Sequence, residues 1–156
     1  MEEKKKKMPN RKTIKIIVII AAAVAVGICI ALLGSGKMSG EEAVKFEEIN
    51  ENKLPPDIVS DVLPEYKTLE RALACRVDDD VYVVVTRGEK PTSGFEVSVD
   101  RITLEEKDDK TNLIVYALFE DPDKETAISQ IITYPVSVVR TDLKQLPDSI
   151  ELRIEY

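Results

Sequence analysis

The stretch IIVIIAAAVAVGICIALL, Ile16 to Leu33, constrains this chain more than any other part of it. It runs for 18 residues without a charge. As a helix it would be roughly 27 Å long, close to the hydrocarbon thickness of a bilayer. Eleven of these residues are Ile, Val or Leu. Each favours insertion by about 0.3–0.6 kcal/mol, so the segment is expected to partition into a membrane by roughly 3–7 kcal/mol. Lys4, Lys5, Lys6, Lys7, Arg11, Lys12 and Lys15 precede it, and only Lys37 follows closely. That asymmetry predicts an N-terminus inside and everything after Leu33 outside. The expected layout is a cytoplasmic basic segment over 1–15, a single transmembrane helix over 16–33, a flexible Gly/Ser-rich tether over 34–43 and an extracytoplasmic domain over 44–156. A cleaved secretory signal is the alternative, although the apolar stretch is longer than such signals use. A lipoprotein signal fits poorly, because Ile28 stands before Cys29 where a small residue is needed.

Beyond the first forty residues the charge balance inverts. From Glu41 onward there are 27 acidic and 14 basic residues, a net charge of −13, against −7 for the whole chain. Nucleic acid and anionic lipid surfaces would repel such a domain, so no nucleic-acid partner is expected. Only two cysteines occur, Cys29 in the apolar stretch and Cys75 beyond it. No disulfide can frame the outer part, which must hold itself together with an ordinary apolar core. Cys75 reads as a small buried strand residue.

Pro55 and Pro56 followed by Asp57 begin a helical spacing of Ile58, Val62 and Tyr66, which Pro64 interrupts, predicting one short or kinked helix. From Leu73 the period changes to two. ALACRV and VYVVVTR flank Asp78 to Asp80 and predict a hairpin with an acidic turn. A calcium site there is disfavoured, since adjacent aspartates lack the alternate spacing of a binding loop. Phe95, Val97 and Val99 alternate with polar residues, and the strand continues through RITLEE to the charged turn KDDKTN. LIVYALF is apolar on both faces, as a covered central strand would be. AISQIITYPVSVV is too long for one strand, and a bend or edge is expected at Tyr134 and Pro135. Ile150, Leu152, Ile154 and Tyr156 alternate in a last strand. About six strands and one helix predict an α+β, mostly β domain, an antiparallel sandwich or open barrel with a short helix packed on it.

The chain contains no histidine. That removes the commonest general base, the Ser/His/Asp and Cys/His nucleophile pairs and most zinc sites. No phosphate-cradling glycine loop is present. Carboxylates such as Glu47 and Glu120 are abundant, but nothing in the sequence pairs them. No catalytic residues, cofactor or metal are expected, and the chain reads as a non-enzyme.

RGEKPTSGFEVSV, Arg87 to Val99, interrupts the strands with a tract longer than a hairpin turn needs. Pro91 fixes one backbone angle, Gly88 and Gly94 permit positive φ, and Thr92 and Ser93 can satisfy local amides, so the tract can be a structural bend. Equally, it can be a stiff loop presented to a partner, with Gly88, Lys90, Pro91, Thr92, Ser93, Gly94 and Phe95 as candidate binding residues.

The order of segments from Val81 to Thr141 resembles the C-terminal domain of the PrcB family of protease complex subunits. Its carriers are Gly88, Thr92, Gly94, Phe95, the turn at Pro122, and Tyr134 with Pro135 as neighbouring structural positions. A Tyr commonly stands in that family where this chain has Phe95, and the founding member is a lipoprotein rather than an anchored protein. The resemblance implies a non-enzymatic accessory role outside the membrane; together with the expected anchor this gives a domain on the outer face of a bacterial cytoplasmic membrane, with an exported or membrane-bound protein, such as a protease, as the partner. KPTSGF is also similar to the Asn-Pro-Thr-Thr-Gly-Tyr loop of chagasin-type peptidase inhibitors, departing at Lys90 and Ser93. That similarity implies inhibition through Pro91 to Phe95 as an alternative. A module for wall polymers or small ligands is a third.

Overall fold

The computed structural model describes residues 19–22, 40–123 and 127–156. The basic segment over 1–15 and most of the apolar stretch over 16–33 lie outside these. Within that stretch only Ile19–Ala22 are described, as a short strand (β1) rather than as part of the expected helix. Among the described residues no helix is long and apolar enough to cross a membrane.

Two sheets face each other in a sandwich, not a closed barrel. The strands are β2 (Glu41–Ala43), β3 (Phe46–Glu48), β4 (Glu70–Val77), β5 (Asp80–Arg87), β6 (Glu96–Lys107), β7 (Lys110–Glu120), β8 (Val136–Thr141) and β9 (Ser149–Glu155). One sheet has the order β1-β4-β5-β8-β3 and the other β2-β6-β7-β9. The last three residues assigned to the tether, Glu41–Ala43, thus form a strand, paired with Thr103–Glu105 of β6. Val44 then crosses between the layers, and β3 pairs with β8 in the opposite sheet.

Both hairpins fall where acidic turns were expected. Val77 pairs with Asp80 across Asp78 and Asp79, and Asp78 takes a φ of 53°. Lys107 pairs with Lys110 across Asp108 and Asp109, whose φ values of 53° and 59° are those of a primed turn matched to strand twist. Short Asp side chains tolerate this left-handed region better than most. A bulge between Val99 and Arg101 shifts the register of β6. It changes the phase of the alternation, so Val97 and Val99 before it and Ile102 and Leu104 after it all face the same core.

Between the sheets, Ala72, Ala74, Val83, Val85 and Val139 meet Ile102, Leu113, Val115, Phe119 and Leu152. β5 and β7 lie inside their sheets, and β5 is apolar on both faces because each face packs against a buried cluster. The outer face of the five-stranded sheet carries a second cluster, in which Leu73, Cys75, Tyr82, Val84 and Val138 are covered by Ile58, Val62 and Tyr66. Burial pushes the Cys75 thiol up to about 12. The covering segment is a wide turn of π-type over Ile58–Val62 that runs into one α-helical turn, α1 (Leu63–Tyr66). Pro64 has no N–H to give the preceding turn, and its ring would crowd the carbonyl four residues back; the wider turn accommodates both constraints.

β9 departs from the all-antiparallel expectation, because it runs parallel to β7. Alternation shows which face of a strand is wet but not its direction. Asp148 sets the register: its carboxylate accepts from the Thr111 backbone N–H at 2.8 Å and hydroxyl at 2.9 Å, and its own N–H donates to the Thr111 carbonyl at 3.0 Å. The two bonds from Thr111 hold the Asp148 pKa below its ordinary value of 3.8. A depressed folded-state pKa contributes stability above the unfolded value, and that contribution is lost as pH falls through the folded one. Asp148→Asn is therefore expected to lower stability at neutral pH and to narrow the gap to the parent below about pH 4. Urea midpoints between pH 2 and 7 check this, and parallel pH curves for the two proteins would refute it.

Candidate partner-binding surface

The tract over residues 88–95 is the crossover between sheets. β5 leaves the first sheet at Arg87 and β6 begins in the second at Glu96. Gly88 and Gly94 have φ of 75° and 90°, as the bend requires. A Cβ on Gly94 would lie 2.8 Å from Cβ of Pro122. Gly94→Ala thus combines a strained φ with a contact that must yield, and a loss of about 1–3 kcal/mol is expected. Thermal unfolding reads it, and an unchanged midpoint would show that the Pro122 turn gives way freely.

Along one side the tract is stapled to residues 129–134. The Lys90 and Thr133 backbones exchange bonds of 2.9 and 3.0 Å, and the Ser93 N–H donates to the Ser129 carbonyl at 3.0 Å. Ser93 Oγ accepts from the Ser129 N–H at 2.8 Å, and the Thr133 hydroxyl donates to the Thr92 carbonyl at 2.8 Å. Ser93 does satisfy an amide and a carbonyl, but both belong to Ser129 on a distant segment, and Thr92 contributes only its backbone carbonyl, to the Thr133 hydroxyl. Glu89, Pro91 and Gly94 remain exposed.

At the root of the crossover sits Arg87, the last residue of β5. Its side chain is 3% exposed. One guanidinium nitrogen donates to the Glu96 carbonyl at 3.0 Å and the Glu120 carbonyl at 2.5 Å, and the other pairs with the Asp121 carboxylate. The rings of Phe95 and Phe119 lie 5.1 and 5.0 Å from its central carbon. Phe95 therefore faces inward onto this cation. Glu120, a candidate acid by composition, contributes its backbone here, and Glu47 is paired with Arg140 at 2.7 Å.

Tyr134 connects the tract to the outer face of the five-stranded sheet. Its hydroxyl donates to Glu89 at 2.9 Å, a bond that raises the Tyr134 pKa, and the ammonium of Lys67 stands 4.7 Å from the ring centre. Pro135 lies just before β8 and accepts from the Arg87 N–H at 3.0 Å, so its missing donor costs the sheet nothing. Beside Tyr134 a groove of about 510 Å³ opens where the second apolar cluster is incompletely covered. Val136 and Val138 form its floor, Leu54 and Leu63 its sides, and Val59 and Ile132 its lip. Ile131 and Ile132 are 58% and 60% exposed, with Ile128 also exposed on the same segment. Glu51 and Lys67 are the charged groups at the groove. The sequence offered a signal for this surface in two adjacent isoleucines ahead of Pro135, too many apolar side chains for a segment outside any strand.

Among the described residues no cluster of acidic, Cys or His side chains is arranged to hold a metal. The described surface offers an apolar groove with Glu51 and Lys67 as its charged groups, beside a crossover stapled to residues 129–134.

No curated protein and no solved structure matches the chain. The family model described as PrcB C-terminal matches residues 81–142. That span holds β5 through β8, the crossover, Arg87 and the Ile132–Tyr134 side of the groove. The resemblance of this chain to the PrcB family is thus matched by that family model over residues 81–142.

Proposed function

We propose that this protein is a membrane-anchored, non-enzymatic protein-binding module, an accessory subunit that holds or stabilises an exported protease at the outer face of a bacterial cytoplasmic membrane. Residues 16–33 are its anchor and the β-sandwich is its working part. The observation that carries the reading is the apolar groove with Ile132 standing exposed at its margin and Ile131 exposed next to it in the chain, within a span that matches a protease-complex family. Isolated exposed apolar residues are ordinary, but isoleucines grouped on one segment beside an open groove are what an interface core uses.

The seat of the partner is the groove rather than the tract. Stapled on one side, the tract presents little beyond Glu89, Pro91 and Gly94, and Phe95 is turned onto Arg87. An inhibitor loop of the chagasin type would need those side chains free. The tract instead stiffens the groove through Tyr134 and Thr133, which lowers the ordering cost of binding. A small ligand is the second reading, because the volume lies in the usual range for such pockets.

The test is crosslinking and recovery from intact membranes with the tagged full-length protein, comparing the parent with Ile131→Ser/Ile132→Ser. Both side chains are exposed, so the fold should survive. The expected result is capture of an exported protease by the parent, measured as peptidase activity and by mass, and at least about a ten-fold loss in the variant. Equal capture by both would remove the groove as the seat. No protease with either, together with a thermal shift on adding wall fragments, would favour the ligand reading.

A further inference from the structure

Beneath Ile19–Ala22, which form the outermost strand of the five-stranded sheet, β4 has none of the usual defences of a sheet edge. β4 contains no proline and no bulge, its charges Glu70, Arg71 and Arg76 sit toward its two ends, and Ala72 to Cys75 between them are apolar on both faces. Natural sheets blunt such edges because their free N–H and C=O groups template pairing. In the structure four residues, Ile19–Ala22, lie antiparallel on Arg71–Ala74. The edge therefore accepts a strand. Those four residues also belong to the proposed anchor, and in the membrane they would leave the edge uncovered.

We propose that the edge of β4 pairs antiparallel with β4 of a second copy of this chain, in the register that sets Leu73 opposite Leu73 and Glu70 opposite Arg76 on both sides of the two-fold axis. The symmetry restricts the choice. A two-fold between antiparallel edges runs perpendicular to the sheet and keeps inner faces inner, so only residues of like parity can stand opposite each other. Sliding the copies so that Ala74 meets Ala74 would place Glu70 opposite Asp78, a like-charge pair repeated twice. Centred on Leu73, the same residues give two opposite-charge cross-strand pairs and an apolar middle. Arg76 now lies 3.6 Å from Asp79 in a solvent-exposed pair, an arrangement weak enough to yield. An edge pairing alone is a small interface. Two anchors in one membrane raise the effective concentration that it needs.

The inference rests on residues 16–33 being in the membrane, so the experiment uses the full chain in native membranes and reads the anchor separately, by maleimide labelling of native Cys29. In a Cys29→Ser background, Glu70→Cys/Arg76→Cys is expected to form a disulfide-linked dimer under mild oxidation, whereas either single variant stays monomeric. Within one strand these positions are about 20 Å apart, so the bond can form only between copies. Cys75 is buried and does not compete. Charge reversal supplies the second arm: Glu70→Arg should weaken dimerisation about ten-fold by setting like charges opposite, and Glu70→Arg/Arg76→Glu should restore it. Amide exchange of β4 separates the contrary results. A monomer with protected β4 amides means that Ile19–Ala22 seal the edge, and one with fast exchange means that the edge is free; either overturns the proposal. Ready labelling of Cys29 would show that the anchor reading had failed, independently of the crosslink.

Discussion

Replacing Arg87 with methionine is expected to lower the stability of the folded domain by about 2–4 kcal/mol and its melting temperature by on the order of 10 °C. Methionine keeps much of the apolar stem between Phe95 and Phe119, so the loss is electrostatic. It leaves the Glu96 and Glu120 carbonyls without their donor, where β6 and β7 meet at their ends. Asp121 is largely exposed and can return to water, which keeps the estimate below that for a fully buried ion pair. Arg87→Lys should recover little, since an ammonium cannot reach two carbonyls and a carboxylate in one planar fan. Thermal and urea unfolding of the full-length protein in detergent give the comparison. A methionine variant as stable as the parent would mean that water replaces the guanidinium at both carbonyls.

Ile58→Ala should have an effect of similar size, about 2–5 kcal/mol, from a different cause. Ile58 is fully buried, and with Val62 and Tyr66 it presses the wide turn and α1 onto Leu73, Val84 and Val138. Truncation removes apolar contact and leaves a cavity that a turn constrained by Pro64 is poorly able to close. Ile58→Val, with one methylene removed, should lose only about 0.5–1.5 kcal/mol. The same turn carries Val59 and Leu63 to the groove, so the amides of 58–67 are expected to exchange faster in Ile58→Ala than global unfolding explains. A loss under about 1 kcal/mol with unchanged local exchange would show that this segment is held by something other than its core side chains.

Local chemistry made most of the strands legible. Asp78 to Asp80 and the KDDK turn mark two hairpins because short acidic side chains tolerate positive φ, and LIVYALF announces a strand lying between two neighbours, although only its Leu113, Val115, Ala117 and Phe119 face enters the core between the sheets. Pro64 signalled an interruption without revealing a wider helical pitch. Direction was hidden for β9, whose alternation is the same in a parallel as in an antiparallel neighbour. The site was harder to read. Glycines and a proline disclosed the shape of the crossover, but its partners at 129–134 are fixed by tertiary packing that no local pattern encodes. Arg87 looked like the polar end of a strand because burial of a guanidinium depends on carbonyls and rings from two other segments, Phe95–Glu96 and Phe119–Asp121.

The pairing of β3 with β8 has a consequence for how the domain comes into being. Phe46 to Glu48 lie against Val139 to Thr141, so one of the earliest strands in the chain waits for one of the latest. β2 likewise waits for β6, and β9 reaches back past β8 to β7. Contacts of such long sequence separation form late and slow assembly. As the chain is made from its N-terminus, the first strands emerge without their ladder partners, and the groove, whose floor is β8, cannot exist until nearly the whole domain has been synthesised.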